Sequence, residues 1–278
     1  MARWLILWVA VATGLSGCAS IRNPLASREV PLETQPPEAI YQRAELELED
    51  RQPDDAARFF GEVERLYPYS EWSKRALIMQ AFAYHRDRDF DASRATAQRY
   101  VDLYPTDEDA AYAQYLLALS YYDQIDDVGR DQGLTFQALQ ALRDVIEIYP
   151  ESEYATSAML KFDLAFDHLA AKEMEIGRYY LRRGHYSASI NRFRVVVEDF
   201  QTTTHTPEAL HRLVESYLSL GLTDEARTAG AILAVNFRSS VWYQDSYALL
   251  TGRGLTLAPA GDNFLTTIYR QSIEGQWL

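Results

Sequence analysis

The sequence predicts an all-α chain, a helical solenoid of stacked helix pairs, and three observations predict it. An aromatic-led joint recurs, as YPYSEW at Tyr67–Trp72, YPTDED at Tyr104–Asp109, YPESEY at Tyr149–Tyr154 and FRSSVW at Phe237–Trp242. With Phe200 as a further member, these joints stand 37, 45, 51 and 37 residues apart. A period in the thirties or above leaves room for two helices per unit and marks a repeat array. Between the joints apolar residues fall at helical spacing, as in Ile40-Ala44-Leu48, Ala56-Phe60-Val63, Leu77-Ala81 and Ala226-Gly230. Each set lies on one helix face.

The gross numbers agree. A chain of 278 residues, 47% hydrophobic and 24% charged, has enough apolar surface for a sizeable core or an extended array, which excludes disorder as its main state. The net charge of −13 excludes the basic footprint of a nucleic-acid binder. One cysteine leaves no intrachain disulfide framework.

Residues 1–17 read as an export signal. Arg3 is followed by an apolar run from Trp4 to Ala12, about half of the ~20 residues a membrane-crossing helix needs. The run closes in Leu15-Ser16-Gly17-Cys18, which resembles the bacterial lipobox. That resemblance implies diacylglycerol on the Cys18 sulfur and a mature chain that starts there. Ala19 and Ser20 follow, with no aspartate of the kind that marks retention at the inner membrane, which favours the outer one. Residues 18–37 carry Pro24, Pro31, Pro36 and Pro37 without apolar periodicity and read as an extended, lipidated tether. Loss of the signal removes Arg3 and no acid, so the mature chain is one unit more negative and is repelled by anionic headgroups.

Residues 38–150 hold the first three repeats. Turns within pairs are expected at Arg51-Gln52-Pro53-Asp54 and Arg88-Asp89-Phe90, and later at Arg183-Gly184-His185 and Gly221-Leu222-Thr223. At each joint the aromatic closes a helix and proline, where present, stops it. Ser70, Ser152 or Ser240 then caps the next helix through its side chain. A polar insertion, Ile125–Gly133, lengthens the third unit. Residues 151–251 hold repeats four and five, and because Tyr154–Arg183 lacks proline and has only Gly177, one long helix or two nearly continuous ones should join the halves. Residues 252–278 form an extension in which a Gly/Pro-broken linker precedes Phe264, Ile268, Ser272 and Trp277. Three fates stay open for it: docking on the last repeat, binding another subunit, or disorder.

Small residues followed four positions later by a large apolar one, Ala56 with Phe60, Ala138 with Leu142 and Ser189 with Phe193, resemble the helix-crossing pattern of the tetratricopeptide repeat. Gly177 with Tyr180, and Tyr84 and Tyr217, fit the same scheme. The expected fold is therefore a right-handed helical solenoid of about five tetratricopeptide-like repeats, with about ten or more antiparallel helices.

No reaction chemistry is advertised. The five histidines have no metal-ligand spacing, and neither a nucleophile elbow nor a phosphate loop occurs. No catalytic residue, metal or cofactor is expected. The acidic runs Glu45–Asp50 and Asp107–Asp109 read as solvated helix ends, the second suited to a helix dipole. Most of the nineteen tyrosines belong to joints or core, and the rest suit a concave groove for extended peptides.

Pro36-Pro37-Glu38-Ala39-Ile40-Tyr41, Arg65-Leu66-Tyr67-Pro68, Ala81-Phe82-Ala83-Tyr84, Asp126-Asp127-Val128-Gly129-Arg130-Asp131, Tyr179–Gly184 and Ser187–Arg192, taken with the lipobox, resemble the BamD family of outer-membrane barrel-assembly lipoproteins over about residues 18–240. The resemblance implies a non-catalytic periplasmic scaffold, held on the outer membrane by its lipid. Its implied partners are a BamA-like barrel subunit, other lipoproteins of the complex and unfolded outer-membrane proteins, with the back repeats serving the machinery and the front repeats the substrate. Arg192 is the expected partner-facing residue, against the alternative of a surface arginine paired with an acid. The rival from another class is a pilotin-type repeat lipoprotein that escorts a secretin.

Overall fold

One backbone conformation is used at every joint. In the computed structural model, which describes residues 30–277, Tyr67, Tyr104, Tyr149, Phe200 and Phe237 all lie at φ between −134° and −123° and ψ between 35° and 55°. The amide of each donates to the carbonyl four residues earlier, which completes the helix. Its own carbonyl then accepts from the amide three residues on, at Ser70, Asp107, Ser152, Thr203 and Ser240. The chain thus leaves one helix and is aimed into the next by a single turn. Phe200 and Phe237 do this with Gln201 and Arg238 where the earlier joints have proline, so proline is not required for the stop.

The caps divide. Ser70 accepts from the Ser73 amide and Ser240 from the Trp242 amide. The expectation for Ser152 is corrected: it makes no side-chain cap, and its hydroxyl donates to the Tyr149 carbonyl at 2.8 Å. Reading Asp107 as solvated surface also fails. Its carboxylate accepts from Lys74 Nζ at 2.7 Å, from the Tyr100 hydroxyl at 2.6 Å and from the Asp109 amide. Asp107 is therefore a pin between the second and third units.

The helices are α1 (Pro37–Glu49), α2 (Pro53–Leu66), α3 (Glu71–Asp87), α4 (Phe90–Leu103), α5 (Ala110–Tyr122), α6 (Gly133–Ile148), α7 (Glu153–Arg182), α8 (Tyr186–Asp199), α9 (Thr206–Ser219), α10 (Thr223–Asn236), α11 (Val241–Thr251) and α12 (Phe264–Ile273). No strand occurs among the described residues. Each of α2 to α10 packs on the helix before and after it, and α1–α3, α3–α5 and α5–α7 also touch. This makes five antiparallel pairs in a tetratricopeptide-like solenoid. Ala56, Ala138 and Ser189 are fully buried at the crossings, as are Phe60, Leu142 and Phe193. Hydroxyl pairs recur there too, Ser93 with Ser120 at 3.0 Å and Ser189 with Ser216 at 3.1 Å. They satisfy hydroxyl oxygens that are fully buried where the helices cross.

Between α5 and α6 lies the polar insertion, held to α7 by Lys172 Nζ donating to the Gly129 carbonyl at 2.8 Å. Helix α7 is continuous for 30 residues, about 45 Å at 1.5 Å per residue, since Gly177 alone does not break it.

Both ends differ from expectation or resolve it. The tether is not extended as far as Pro37: Leu32–Thr34 forms a 3-10 turn, Leu32 packs on the first core, and the Tyr67 hydroxyl donates to the Gln35 carbonyl. Pro37 already occupies the first turn of α1, where its missing N–H costs nothing. The extension docks on the last repeat. Its Ala260 amide donates to Thr228 Oγ1 at 3.0 Å, and Leu265, Ile268 and Trp277 are buried against α8 to α11. A repeat array ends in an apolar face, and the extension covers it. No described helix is long and apolar enough to cross a membrane.

Candidate functional site

The crossing of α7 and α8 sets the position of Arg192. A Cβ placed on Gly177 would lie 2.4 Å from the Phe193 ring, so only glycine lets the two helices approach this closely. Met174 and Ala170 fill the same seam. Arg192, one residue before Phe193, is carried at its rim. There its Nη1 meets Glu173 of α7 at 3.0 Å, with the arginine side chain 43% exposed and the glutamate 19%. A pair this open contributes about 1 kcal/mol or less. Among the described residues Nε and Nη2 of Arg192 have no partner, so half of the guanidinium fork remains free for a second carboxylate. Arg192 is thus a surface arginine paired with an acid, as the alternative reading has it, with part of its guanidinium left without a partner among the described residues.

Around it the surface is indented. A hollow of about 310 Å³ is lined by Tyr180, Ala188, Asn191, Arg192 and Val195. A second, about 300 Å³, runs from Tyr180 past Tyr179 and Lys172 to Gly129 of the insertion. A third, about 550 Å³, continues from Tyr180 over Gly184 and Tyr186 to Leu220. Tyr180 borders all three. Tyr179 stands edge-on to Tyr180 and lies beneath the Arg183 guanidinium at 4.5 Å. The result is an aromatic surface that carries Arg192, Lys172 and Arg183 together with the carboxylates of Glu173 and Glu175. Lys172 and Glu173 escape sequence reasoning: Glu173 and Arg192 are nineteen residues apart on different helices, and no motif joins them.

Beneath this face the frame is stiff. Arg178 on α7 reaches Glu208 on α9 through both nitrogens, Nε at 2.9 Å and Nη2 at 2.5 Å. Arg212 joins Glu208 to Glu215 and lies over the Trp242 ring of α11 at 5.1 Å. Burial alone would raise the Glu208 pKa, but the Arg178 and Arg212 guanidiniums outweigh it and hold the carboxyl below its ordinary value. His211, whose Nδ1 meets Ser246 Oγ at 2.8 Å, is pushed down by burial and so favours the neutral form.

The tyrosines divide as their environments require. Tyr100 is fully buried, and Tyr112 and Tyr217 are pushed up to about 12 by burial. Tyr112, Tyr115 and Tyr154 form an aromatic group at 5.3 and 5.4 Å in the front half, whereas Tyr69 is wholly exposed. Cys18, the expected lipid-bearing residue, lies outside the described residues.

Known proteins resemble this chain over most of its length. The family model described as YfiO, outer membrane lipoprotein, matches residues 33–232. A Caulobacter vibrioides protein named outer membrane protein assembly factor BamD is 46% identical over 248 residues, 89% of this chain and 80% of the relative. Its namesake from Rickettsia prowazekii is 39% identical over 236 residues, 85% of this chain and 92% of the relative. That from Neisseria meningitidis serogroup A is 27% identical over 246 residues, 85% and 92%.

Proposed function

The chain belongs to the YfiO family of outer membrane lipoproteins, with the BamD assembly factors, and from that premise we propose that it is a non-catalytic scaffold for inserting barrel proteins into the outer membrane. It is moored through acyl chains on Cys18 and faces the periplasm. Each buried methylene contributes about 0.8 kcal/mol, and two or three chains together hold stably where one holds marginally. The globular part then needs no lipid contact of its own, and its negative charge keeps it off anionic headgroups.

In this reading the partner of the back repeats is a periplasmic domain of a BamA-like barrel subunit, and unfolded outer-membrane proteins are received by the front repeats. Other lipoproteins of the complex occupy further faces. The observation that carries the docking assignment is the half-free guanidinium of Arg192 beside the three hollows that meet at Tyr180. A carboxylate of the partner would complete the fork while apolar side chains enter the hollows.

The experiment is co-purification from detergent-solubilised envelope, followed by titration of the purified barrel subunit's periplasmic domains. Arg192→Glu is expected to weaken binding roughly tenfold or more, each tenfold being about 1.4 kcal/mol, with Arg192→Lys between it and the parent. Unchanged affinity would remove the docking assignment, and recovery of a secretin in place of a barrel subunit would replace the scaffold reading. Cys18→Ser is expected to move the chain from the membrane to the soluble fraction.

A further inference from the structure

The first half of α7 packs on α5 and α6 and on no described helix that follows it. Ala158 packs with Leu142 and Val145 of α6, and Ala165 with Leu139. Helix α8 runs back along α7 only as far as the contact of Phe166 with Phe200, ring centroids 4.9 Å apart. There the chain turns away, pinned by Asp167 Oδ1, which accepts from the Thr204 amide at 3.0 Å and its hydroxyl at 2.8 Å. From Glu153 to about Ala165 the side of α7 away from α5 and α6 is therefore bare. Met159, Leu160 and Leu164 stand there 51%, 63% and 62% exposed. Leu160, Leu164 and Phe166 line a hollow of about 540 Å³ that is closed below by Thr202–Thr204.

Two properties of this face identify what fits it. The first is length. The bare stretch covers about three turns, roughly 18 Å at 1.5 Å per residue, close to the 13 or 14 residues of most of the array's own helices. It is a position at which the solenoid could accept one more helix. The second is charge. The hollow is lined by Asp163 and Asp167 and by no lysine or arginine. Asp167 also faces His205 at 3.3 Å, whereas Asp163 has no partner among the described residues. At i, i+4 spacing Leu160–Leu164 and Asp163–Asp167 make an apolar row beside an acidic row.

We infer that this face is a docking groove for an amphipathic helix of a partner protein, one whose apolar stripe is flanked by lysine or arginine. The helix lies along Leu160 and Leu164 and places a cation against Asp163. Arg192 lines no part of the groove, so the inference is independent of the docking proposed above.

The test uses the full chain and a 14-residue helical peptide of leucine and lysine, with a leucine and glutamate peptide as its charge-reversed counterpart, followed by fluorescence anisotropy. The lysine peptide is expected to bind and the glutamate peptide not. Asp163→Lys is expected to reverse the preference, and the paired change Leu160→Ser with Leu164→Ser to weaken lysine-peptide binding at least roughly tenfold. Because all three side chains are exposed or rim the groove, these variants should keep the parent's far-UV circular dichroism and melting temperature. Arg192→Glu should leave peptide binding unchanged. Equal binding by the parent and the double serine variant would show attraction to a negative surface in general and overturn the inference. So would a parent that sediments as a dimer while Leu164→Glu sediments as a monomer, since the occupant would then be a second copy. A chain lacking residues 19–29 that binds the peptide fivefold tighter would overturn it as well, by making the chain's own N-terminal segment the occupant.

Discussion

The front three helix pairs and the back two share one hairpin and one joint conformation, yet they distribute their buried side chains differently. In front the core is divided into separate clusters, one around Ile40 and Phe60, one around Leu77 and Tyr100, and one around Leu116 and Leu142. Behind, a single cluster runs from Ala170 and Met174 through Phe193, Leu213 and Ile232 to Leu250 and Trp277. Stability of a repeat array is a sum of unit and neighbour terms, so clusters joined end to end can open one at a time, whereas a shared core opens together. The difference is one of cooperativity along the array. The face that carries Arg192 sits on the part built to unfold as one body, further tied by the Arg178–Glu208–Arg212 network. The front half has its buried residues in separate clusters, so each of its pairs rests mainly on its neighbours.

Phe193→Ala attacks the contrast most directly. It deletes a fully buried ring that fills the α7–α8 crossing, and such truncations cost about 3–5 kcal/mol. Hydrogen exchange should show protection lost across α8 to α11 together while α1 to α4 keep theirs. An equal loss in α1 to α4 would mean that the two halves are one cooperative unit. Trp277→Ala removes the last buried ring of the extension, edge-on to Phe237. Burial of a large apolar side chain contributes about 1.5–3 kcal/mol, and the loss of protection should again spread over the shared back core, α8 to α12, while α1 to α4 keep theirs.

A smaller and front-specific effect is expected at Asp107. Hydrogen bonds from Lys74 and then from the Tyr100 hydroxyl hold its carboxyl below the usual carboxylate range. The folded state therefore binds the proton less readily than the unfolded chain. The stabilisation is present above the unfolded value of about 4 and is lost as pH falls through the lower folded value. Asp107→Asn should cost about 1–2 kcal/mol near neutral pH and flatten the acid dependence of protection in α3 to α5. Glu208 gives the back half an acid dependence of the same sign, which Asp107→Asn should leave untouched.

Much of this architecture was legible in the residues. The joints were, because an aromatic followed by turn-forming residues at a fixed spacing has a local cause that does not depend on the rest of the chain. What stayed hidden was made by tertiary neighbours. Nothing near Asp107 in sequence announces Lys74, 33 positions away, and an acidic run looks the same whether it is solvated or pinned. Ser152 has the residue type of a cap, but its hydroxyl turns back to Tyr149. The extension's Gly/Pro-broken start resembles a free tail, and only the apolar end of the fifth pair explains why it folds back. At Arg192 the residue was visible from resemblance, and the hollows that make it a candidate site were not, because they arise from α7, α8 and the insertion together.

The turns inside the pairs sharpen the comparison on a finer scale. Each of four pairs turns through a left-handed residue, but the front uses Arg51 and Arg88 at φ 61° and 67° and the back uses Gly184 and Gly221 at φ 73° and 77°. A side chain in that region costs about 1–2 kcal/mol relative to a right-handed conformation, a cost that glycine largely escapes while losing more backbone entropy on folding. The two choices nearly cancel, and the residue that remains should decide the sign. Gly184→Ala should destabilise the back by about 1 kcal/mol, since it adds a Cβ to a left-handed turn. Arg88→Gly should stabilise the front by no more than ~0.5 kcal/mol, because relief of the strained turn is offset by the freer unfolded chain. If thermal melts show Arg88→Gly to be the more costly of the two, the arginine contributes something beyond its backbone, and the front turns are sites rather than strained corners.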